Sequence, residues 1–283
     1  MSRSEVRATL ARRGLHAHKT RGQNFLTDAR IADQIAEAAP VGAGDAVIEI
    51  GPGLGVLTRA LAARARRVVA IEIDAGLVRA LREEGELPPH VEVLHADALE
   101  VDLATLAARL GAPVRVVANL PYAISTPLLR RLLDLRGVLA GWLVLVQREV
   151  AARLAGKPGT RDYGSLAVLH ALTVRLERVR DLPPNCFFPV PQVTSTLVRA
   201  IPLDPAPLAA DELAEVERVV RAAFGTRRKT LPNALRTGLD PAPAMEVLHG
   251  VLDRLGIEHR ARAEQQEPAA LLALARALSN ARA

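Results

Sequence analysis

Glycines and acids at set places in the first half of the chain could form a nucleotide-type site. The run Glu49-Ile-Gly51-Pro-Gly53-Leu-Gly55 follows an apolar stretch. Glycines at a strand-to-helix junction let the chain turn tightly and let a ligand approach main-chain amides. Further on, Ile71-Glu72-Ile-Asp74 closes a second apolar stretch and Ala96-Asp97-Ala98 follows a third. An acid after the second strand of such a fold accepts hydrogen bonds from ribose hydroxyls, and one after the third can accept from an adenine amine. The spacing Gly-x-Gly-x-Gly departs from the Gly-x-Gly-x-x-Gly of dinucleotide sites. These residues alone leave NAD, FAD and S-adenosylmethionine open.

For these groups to meet, the segments that carry them must lie side by side in one sheet. Strands are expected at 46–50, 67–73, 91–95, 114–119 and 141–147. Between them Leu54, Leu57 and Leu61, and then Leu77, Val78 and Leu81, recur at helical spacing. The pattern is βαβαβ, which predicts an α/β fold with a parallel sheet covered on both faces. Another strand is expected at 194–201, leading into Ile201-Pro-Leu-Asp-Pro-Ala-Pro, which can continue neither a helix nor a central strand. That segment marks a domain boundary. Beyond it Asp211 is expected to cap a helix with Leu213, Val216, Val220 and Ala223 on one face, opening a small all-helical domain over 203–283.

Composition narrows the class. The 283 residues, 49% of them hydrophobic, suffice for one large domain and a small one. The longest apolar stretch, Val138 to Val146, falls well short of the roughly 18 residues of a membrane span, and no apolar core follows the basic N-terminus. Membrane insertion and secretion are not expected. The single Cys186 can form neither an internal disulfide nor a multi-thiolate metal site, which fits a reducing cytoplasm, and it reads as a small buried apolar residue. The seven histidines have no metal-ligand spacing, so no metal is expected. Residues 1–30 hold Arg3, Arg7, Arg12, Arg13, Lys19, Arg21 and Arg30 against Glu5 and Asp28, a balance of +5. This basic N-terminal arm, to which His16 and His18 belong, suits either a polyanion partner or plain solvation.

The fourth strand ends in Asn119-Leu120-Pro121-Tyr122, which resembles the Asn/Asp-Pro-Pro-Tyr/Phe signature of methyltransferases that act on planar amino groups. The exocyclic nitrogen of adenine is a poor nucleophile because its lone pair is delocalised into the ring. It must become more tetrahedral before it can attack a methyl-sulfonium carbon. The Asn119 amide oxygen and the Leu120 carbonyl, held outward by the restricted φ of Pro121, would each accept one N–H while Tyr122 stacks on the base. No strong general base is required.

At this point the chain resembles the ribosomal RNA adenine N6-dimethyltransferases over nearly its whole length. Gly22-Gln-Asn24-Phe-Leu26 resembles a family segment that covers the methionine end of S-adenosylmethionine, which implies cofactor contacts for Asn24 and Leu26. Gln147-Arg-Glu149-Val-Ala-Ala-Arg153 and Tyr163-Gly-Ser-Leu166 match architectural segments. The stretch 187–195 resembles Phe-x-Pro-x-Pro-Lys-Val-x-Ser, whose aromatic, here Phe187, forms the second wall of the base pocket opposite Tyr122. Residues 224–235 resemble an Arg-Arg-Lys-Thr segment, which implies RNA binding by Arg227, Arg228 and Lys229. By the same resemblance Gly51 and Gly53 line the methionine moiety, Glu72 holds the ribose, Asp97 and Ala98 meet the cofactor adenine, and Asn119 polarises the target amine. Gln192, Thr226 and Pro232 stand where the family usually has Lys, Gln and Arg, which bears on RNA contact and leaves the transfer site intact.

The resemblance implies a Rossmann-like methyltransferase domain over 31–202 and a helical RNA-binding domain over 203–283. It implies transfer of methyl groups from S-adenosylmethionine to N6 of two adjacent adenosines near the 3′ end of 16S rRNA, late in small-subunit assembly. The expected protein is cytoplasmic and a monomer when free. The alternatives are the resistance branch that modifies large-subunit RNA and an assembly factor that has kept the fold without catalysis. Release-factor glutamine methyltransferases share the Asn-Pro-Pro-Tyr logic but lack the basic arm and the Arg-Arg-Lys segment.

Overall fold

Apolar β-branched runs alternate with amphipathic helices along most of the chain, and this alternation builds the structure. The computed structural model describes residues 2–17, 22–83, 87–111 and 113–281, so that His18, Lys19 and Arg21 of the basic arm lie outside the described residues. In chain order the elements are α1 (Arg3–Arg12), β1 (Phe25–Leu26), α2 (Ala29–Ala38), β2 (Ala46–Ile50), α3 (Val56–Ala62), β3 (Arg67–Glu72), α4 (Ala75–Glu83), β4 (Val91–His95), α5 (Leu103–Leu110), β5 (Val114–Asn119), α6 (Ser125–Asp134), β6 (Leu139–Gln147) and α7 (Arg148–Leu154). There follow α8 (Ser165–Thr173), β7 (Val174–Leu182), β8 (Phe187–Phe188), β9 (Ser195–Pro202), α9 (Leu213–Phe224), α10 (Leu231–Gly238), α11 (Met245–Arg254) and α12 (Pro268–Asn280). Among the described residues no helix is long and apolar enough to cross a membrane.

The main sheet has the order β4-β3-β2-β5-β6-β9-β7. Strands β2 to β6 pair in parallel and β9 runs antiparallel to β6. Val47, Ile48, Val68, Val69, Val116, Val117, Val144 and Leu145 are all buried, because a parallel sheet covered on both faces leaves neither side chain of a pair in water. The expected strands are present, and Trp142 and Cys186 are buried.

Two compact units emerge, residues 1–151 with 177–202, and residues 152–176 with 203–283. The sequence reading takes 31–202 as one stretch. In the structure residues 152–176 group with the second unit, because α8 packs on α9 and α12. Within that unit Tyr163 meets Phe224 edge-on at 5.5 Å and donates from its hydroxyl to the Gln266 carbonyl at 2.8 Å. Asp211 does not cap α9. The cap position is Glu212, whose carboxylate is instead bound by Arg276 at 2.7 Å.

The N-terminal segment is a helix. Ser2 accepts from the Glu5 amide while the Glu5 carboxylate accepts from the Ser2 amide, a reciprocal cap that satisfies two otherwise unpaired donors. Val6 and Leu10 then anchor α1 in a cluster with Phe25, Leu54 and Leu77.

A short antiparallel ribbon pairs Phe25 with Phe188 and Leu26 with Phe187. Neighbours along a strand point to opposite faces, and directly paired residues share one. Leu26 and Phe187 therefore enter the core with Ile35, Leu182 and Leu197, while Phe25 and Phe188 turn toward α1. Phe187, expected as the second wall of the base pocket, is 0% exposed and packs in this core. Phe187→Ala is expected to cost about 3–5 kcal/mol in denaturant unfolding, the usual cost of deleting a buried Phe. A variant as stable as wild type but inactive would return Phe187 to the base site.

Candidate active site

Strand order reverses between β2 and β5, and in open α/β sheets the crevice at the carboxyl ends of the strands beside such a reversal binds ligands. The loop 51–55 leaves β2, Glu72 ends β3, Ala96 to Ala98 follow β4, and Asn119 ends β5. They converge on a cavity of about 230 Å³. Asn24, Leu26, Gly51, Gly53, Glu72, Asp97, Ala98, Asn119, Leu120 and Pro121 all line it. Tyr122 and Phe187 do not.

Two glycines are required by close approach. Gly51 has φ +69°, and a Cβ there would lie 3.2 Å from the Pro121 ring. Gly53 has φ +59°, and its Cβ would lie 2.7 Å from the Phe25 ring. Side chains at either place would be strained and would push away the opposite wall. The missing side chains also expose the amide of Gly53, which donates to Glu72 Oε2 at 3.2 Å, while Asp74 N donates to Glu72 Oε1 at 3.0 Å. Glu72 is buried, which pushes its carboxyl pKa up, and these backbone donors pull it back. Each oxygen keeps a lone pair for a ribose hydroxyl. Asp74 has a different task, accepting from Gly76 N and Leu77 N at the start of α4.

Asp97 is half-buried and spends Oδ1 on the Leu99 amide at 2.8 Å, which leaves Oδ2 for a donor such as an adenine amine. The Ala98 carbonyl is held by Arg131 at 2.8 Å.

Glu49 is a lining residue to which the sequence reading gave no role. Its carboxyl is 1% exposed and Oε2 has no hydrogen-bond partner. Burial, with the Glu72 carboxylate nearby, pushes its pKa to about 8. The signal was present in the sequence as one acid inside the otherwise apolar Ala46-Val-Ile-Glu-Ile50. Among the described residues the cavity wall carries three carboxyls, Glu49, Glu72 and Asp97, and no Lys or Arg. A sulfonium cofactor that carries positive charge is favoured, so these residues fit S-adenosylmethionine.

At the other end of the crevice Asn119 Nδ2 donates to the Asn24 carbonyl at 2.8 Å, and Asn24 Nδ2 donates in turn to the Gly22 carbonyl at 3.1 Å. With its NH₂ engaged, the Asn119 amide has Oδ1 left as an acceptor. Among the described residues no hydrogen bond is made to the Leu120 carbonyl, and Pro121 follows at φ −57°. Two acceptors thus sit one residue apart. Pro121 and Ala123 on either side of Tyr122 line the cavity, whereas the half-buried Tyr122 ring is held by its hydroxyl on Ser195 Oγ at 2.8 Å.

The cluster Arg227, Arg228 and Lys229 lies in the exposed turn between α9 and α10. Arg227 is engaged with the Arg161 carbonyl at 2.8 Å and Lys229 with Thr237 Oγ1 at 3.0 Å.

A doubly wound sheet whose crevice is lined with carboxyls and closed by an amide-carbonyl acceptor pair is the arrangement of a methyltransferase that uses S-adenosylmethionine to modify an amino group. Comparison with known proteins agrees. The family described as ribosomal RNA adenine dimethylase matches residues 14–279, and the chain belongs to it. It is 41% identical over 273 residues to ribosomal RNA small subunit methyltransferase A of Geobacillus thermodenitrificans, covering 95% of this chain and 93% of that one. It is 44% identical over 269 residues to the protein of the same name from Pelotomaculum thermopropionicum, covering 92% and 90%. Among solved structures, a dimethyladenosine transferase from Plasmodium falciparum superposes with a TM-score of 0.74 at 25% identity, covering 88% of this chain and 95% of that one. The 23S rRNA methyltransferase ErmE does so at 0.64 and 28%, covering 90% and 100%.

Glu49 supplies a pH test. Its carboxyl ionises near its ordinary 4.5 when the chain is unfolded and near 8 when folded. Between those values the unfolded state binds fewer protons, so this group makes stability fall as pH rises from about 5 to about 8. Glu49→Gln removes that dependence. The melting temperature of the variant minus that of wild type should grow across this window and level off above it, and a difference that is flat with pH would contradict the assignment.

Proposed function

We propose that the chain transfers methyl groups from S-adenosylmethionine to N6 of two adjacent adenosines near the 3′ end of 16S rRNA, acting in the cytoplasm as a monomer late in small-subunit assembly. The observation that carries the chemistry is the Asn119 amide, held by the Asn24 carbonyl with its oxygen left as an acceptor. The choice of the small subunit is supported by relatives named for it that align over nine-tenths or more of both chains.

In this reading the glycine loop, Asn24 and Leu26 hold the methionine part, Glu72 the ribose, and Asp97 with Ala98 the adenine. When bound, the cofactor supplies an electrophilic methyl on a sulfonium centre. Asn119 Oδ1 and the Leu120 carbonyl accept the two N–H bonds of the target amine, which draws its lone pair out of conjugation and toward the crevice. Tyr122, fixed through Ser195, presents a ring to one face of the extruded base, and unstacking the base exposes it to this pocket. Arg228, exposed in the second unit beside Arg227 and Lys229, contacts RNA phosphate.

Asn119→Ala is expected to lower turnover by about 10²- to 10³-fold, the usual effect of removing one preorganised hydrogen-bond partner of a transition state, while the dissociation constant for S-adenosylmethionine changes only a few-fold. Single-turnover kinetics and calorimetry measure the two. Turnover within a few-fold of wild type would reject the role. Nucleoside mass spectrometry of rRNA from cells lacking the protein should show loss of N6,N6-dimethyladenosine from 16S RNA. Loss from 23S RNA alone would favour the large-subunit branch, and no loss an assembly role without catalysis.

A further inference from the structure

The helix α1 and the segment after β8 enclose a groove apart from the cofactor cavity. Arg3 and Arg7, one helical turn apart, stand on its helix side above the small residues Ser4, Ala8 and Ala11. Phe188, Pro189 and Val190 form the other side. Both arginines are exposed, and among the described residues neither is in an ion pair. Val190 is 52% and Val193 42% exposed, an unusual display of apolar surface for so short a segment. The groove therefore presents cations along one side and apolar and aromatic surface along the other.

Two connections tie it to the transfer site. Phe188 pairs directly with Phe25, whose ring lines the cofactor cavity. From Val190 the chain runs on to Ser195, whose hydroxyl holds Tyr122. The groove is thus joined to the transfer site through Phe25 on one side and through Ser195 and Tyr122 on the other.

We propose that this groove binds the single-stranded RNA next to the target adenosine, with phosphates on Arg3 and Arg7 and a base against Phe188 and Val190. Cations that track a backbone beside an aromatic platform are how sequence-tolerant single-strand sites are built. A folded basic helix fixes the phosphate contacts at one distance from the Phe188 side, which a solvated basic tail could not do. The inference rests on the rRNA-methylating reading of the cavity and adds to it where the flanking strand runs.

The test uses the full chain, a synthetic 3′-terminal fragment of 16S RNA, and small-subunit particles from cells lacking the protein. Arg3→Glu with Arg7→Glu should weaken binding to the fragment by about tenfold or more and flatten the plot of log affinity against log salt by about 1.4, at roughly 0.7 per lost single-strand phosphate contact. Affinity for S-adenosylmethionine should not change. Val190→Asp should weaken fragment binding without lowering the melting temperature. Arg64→Glu with Arg79→Glu, which changes net charge equally elsewhere in the same unit, should have a much smaller effect. An equal loss in that control, or a wild-type salt slope in the Arg3 and Arg7 variant, would overturn the proposal. Weakened binding to the particle with unchanged binding to the naked fragment would mean that the groove meets a protein, and would overturn it too. If wild type itself methylates neither fragment nor particle, the failure lies in the proposed substrate and not in the groove.

Discussion

The hydrogen bond from Asn119 Nδ2 to the Asn24 carbonyl, 2.8 Å long and spanning 95 positions of sequence, is the contact on which the site depends. An amide can present its oxygen or its nitrogen to a ligand, and the two would have opposite effects on an amine nucleophile. A backbone carbonyl at the nitrogen end removes the choice. For that carbonyl to be there, residues 22–26 must be laid against the end of β5, which is what the pairing of β1 with β8 and the burial of Leu26 and Phe187 achieve. A core feature, the pair Leu26 and Phe187, thus fixes the direction of a chemical group without touching it.

The same crevice is shaped by a second constraint, the near contact of the glycine loop with the Pro121 ring. It brings the glycine loop after β2 and the Asn119 to Tyr122 segment after β5 against each other, on either side of the reversal in strand order. Burial then sets the electrostatics. Glu49 is driven toward its neutral form by burial, with the Glu72 carboxyl nearby, while Glu72, almost as deeply placed and also pushed up by burial, has backbone donors that pull its pKa back.

Much of this was legible in the sequence. The strands of the parallel sheet are continuous apolar runs with a period that no surface helix shares, and the residues that line the crevice stand at their carboxyl ends, so topology alone brings them together. That Phe187 rather than Phe188 turns to the core is not legible, because a two-residue strand has no periodicity to reveal which neighbour faces inward, and the two residues are alike in type. The strand Val174–Leu182 is not legible in the sequence because its apolar residues at 174, 176, 179 and 182 do not keep strict alternation, as befits the edge of the sheet. The helix α1 carried a legible Ser2-x-x-Glu5 cap signature that its many arginines obscured. The Asn24 contact could not be read at all, since nothing local to either residue encodes their meeting.

The role of the Asn119 amide is tested most directly by a crystal structure of the full chain with an unreactive S-adenosylmethionine analogue and an RNA fragment containing the target adenosines. The target N6 is expected within about 3.2 Å of Asn119 Oδ1, a normal hydrogen-bond distance, with Nδ2 still on the Asn24 carbonyl. A target base held elsewhere, or an Asn119 amide turned so that Nδ2 faces the base, would contradict it.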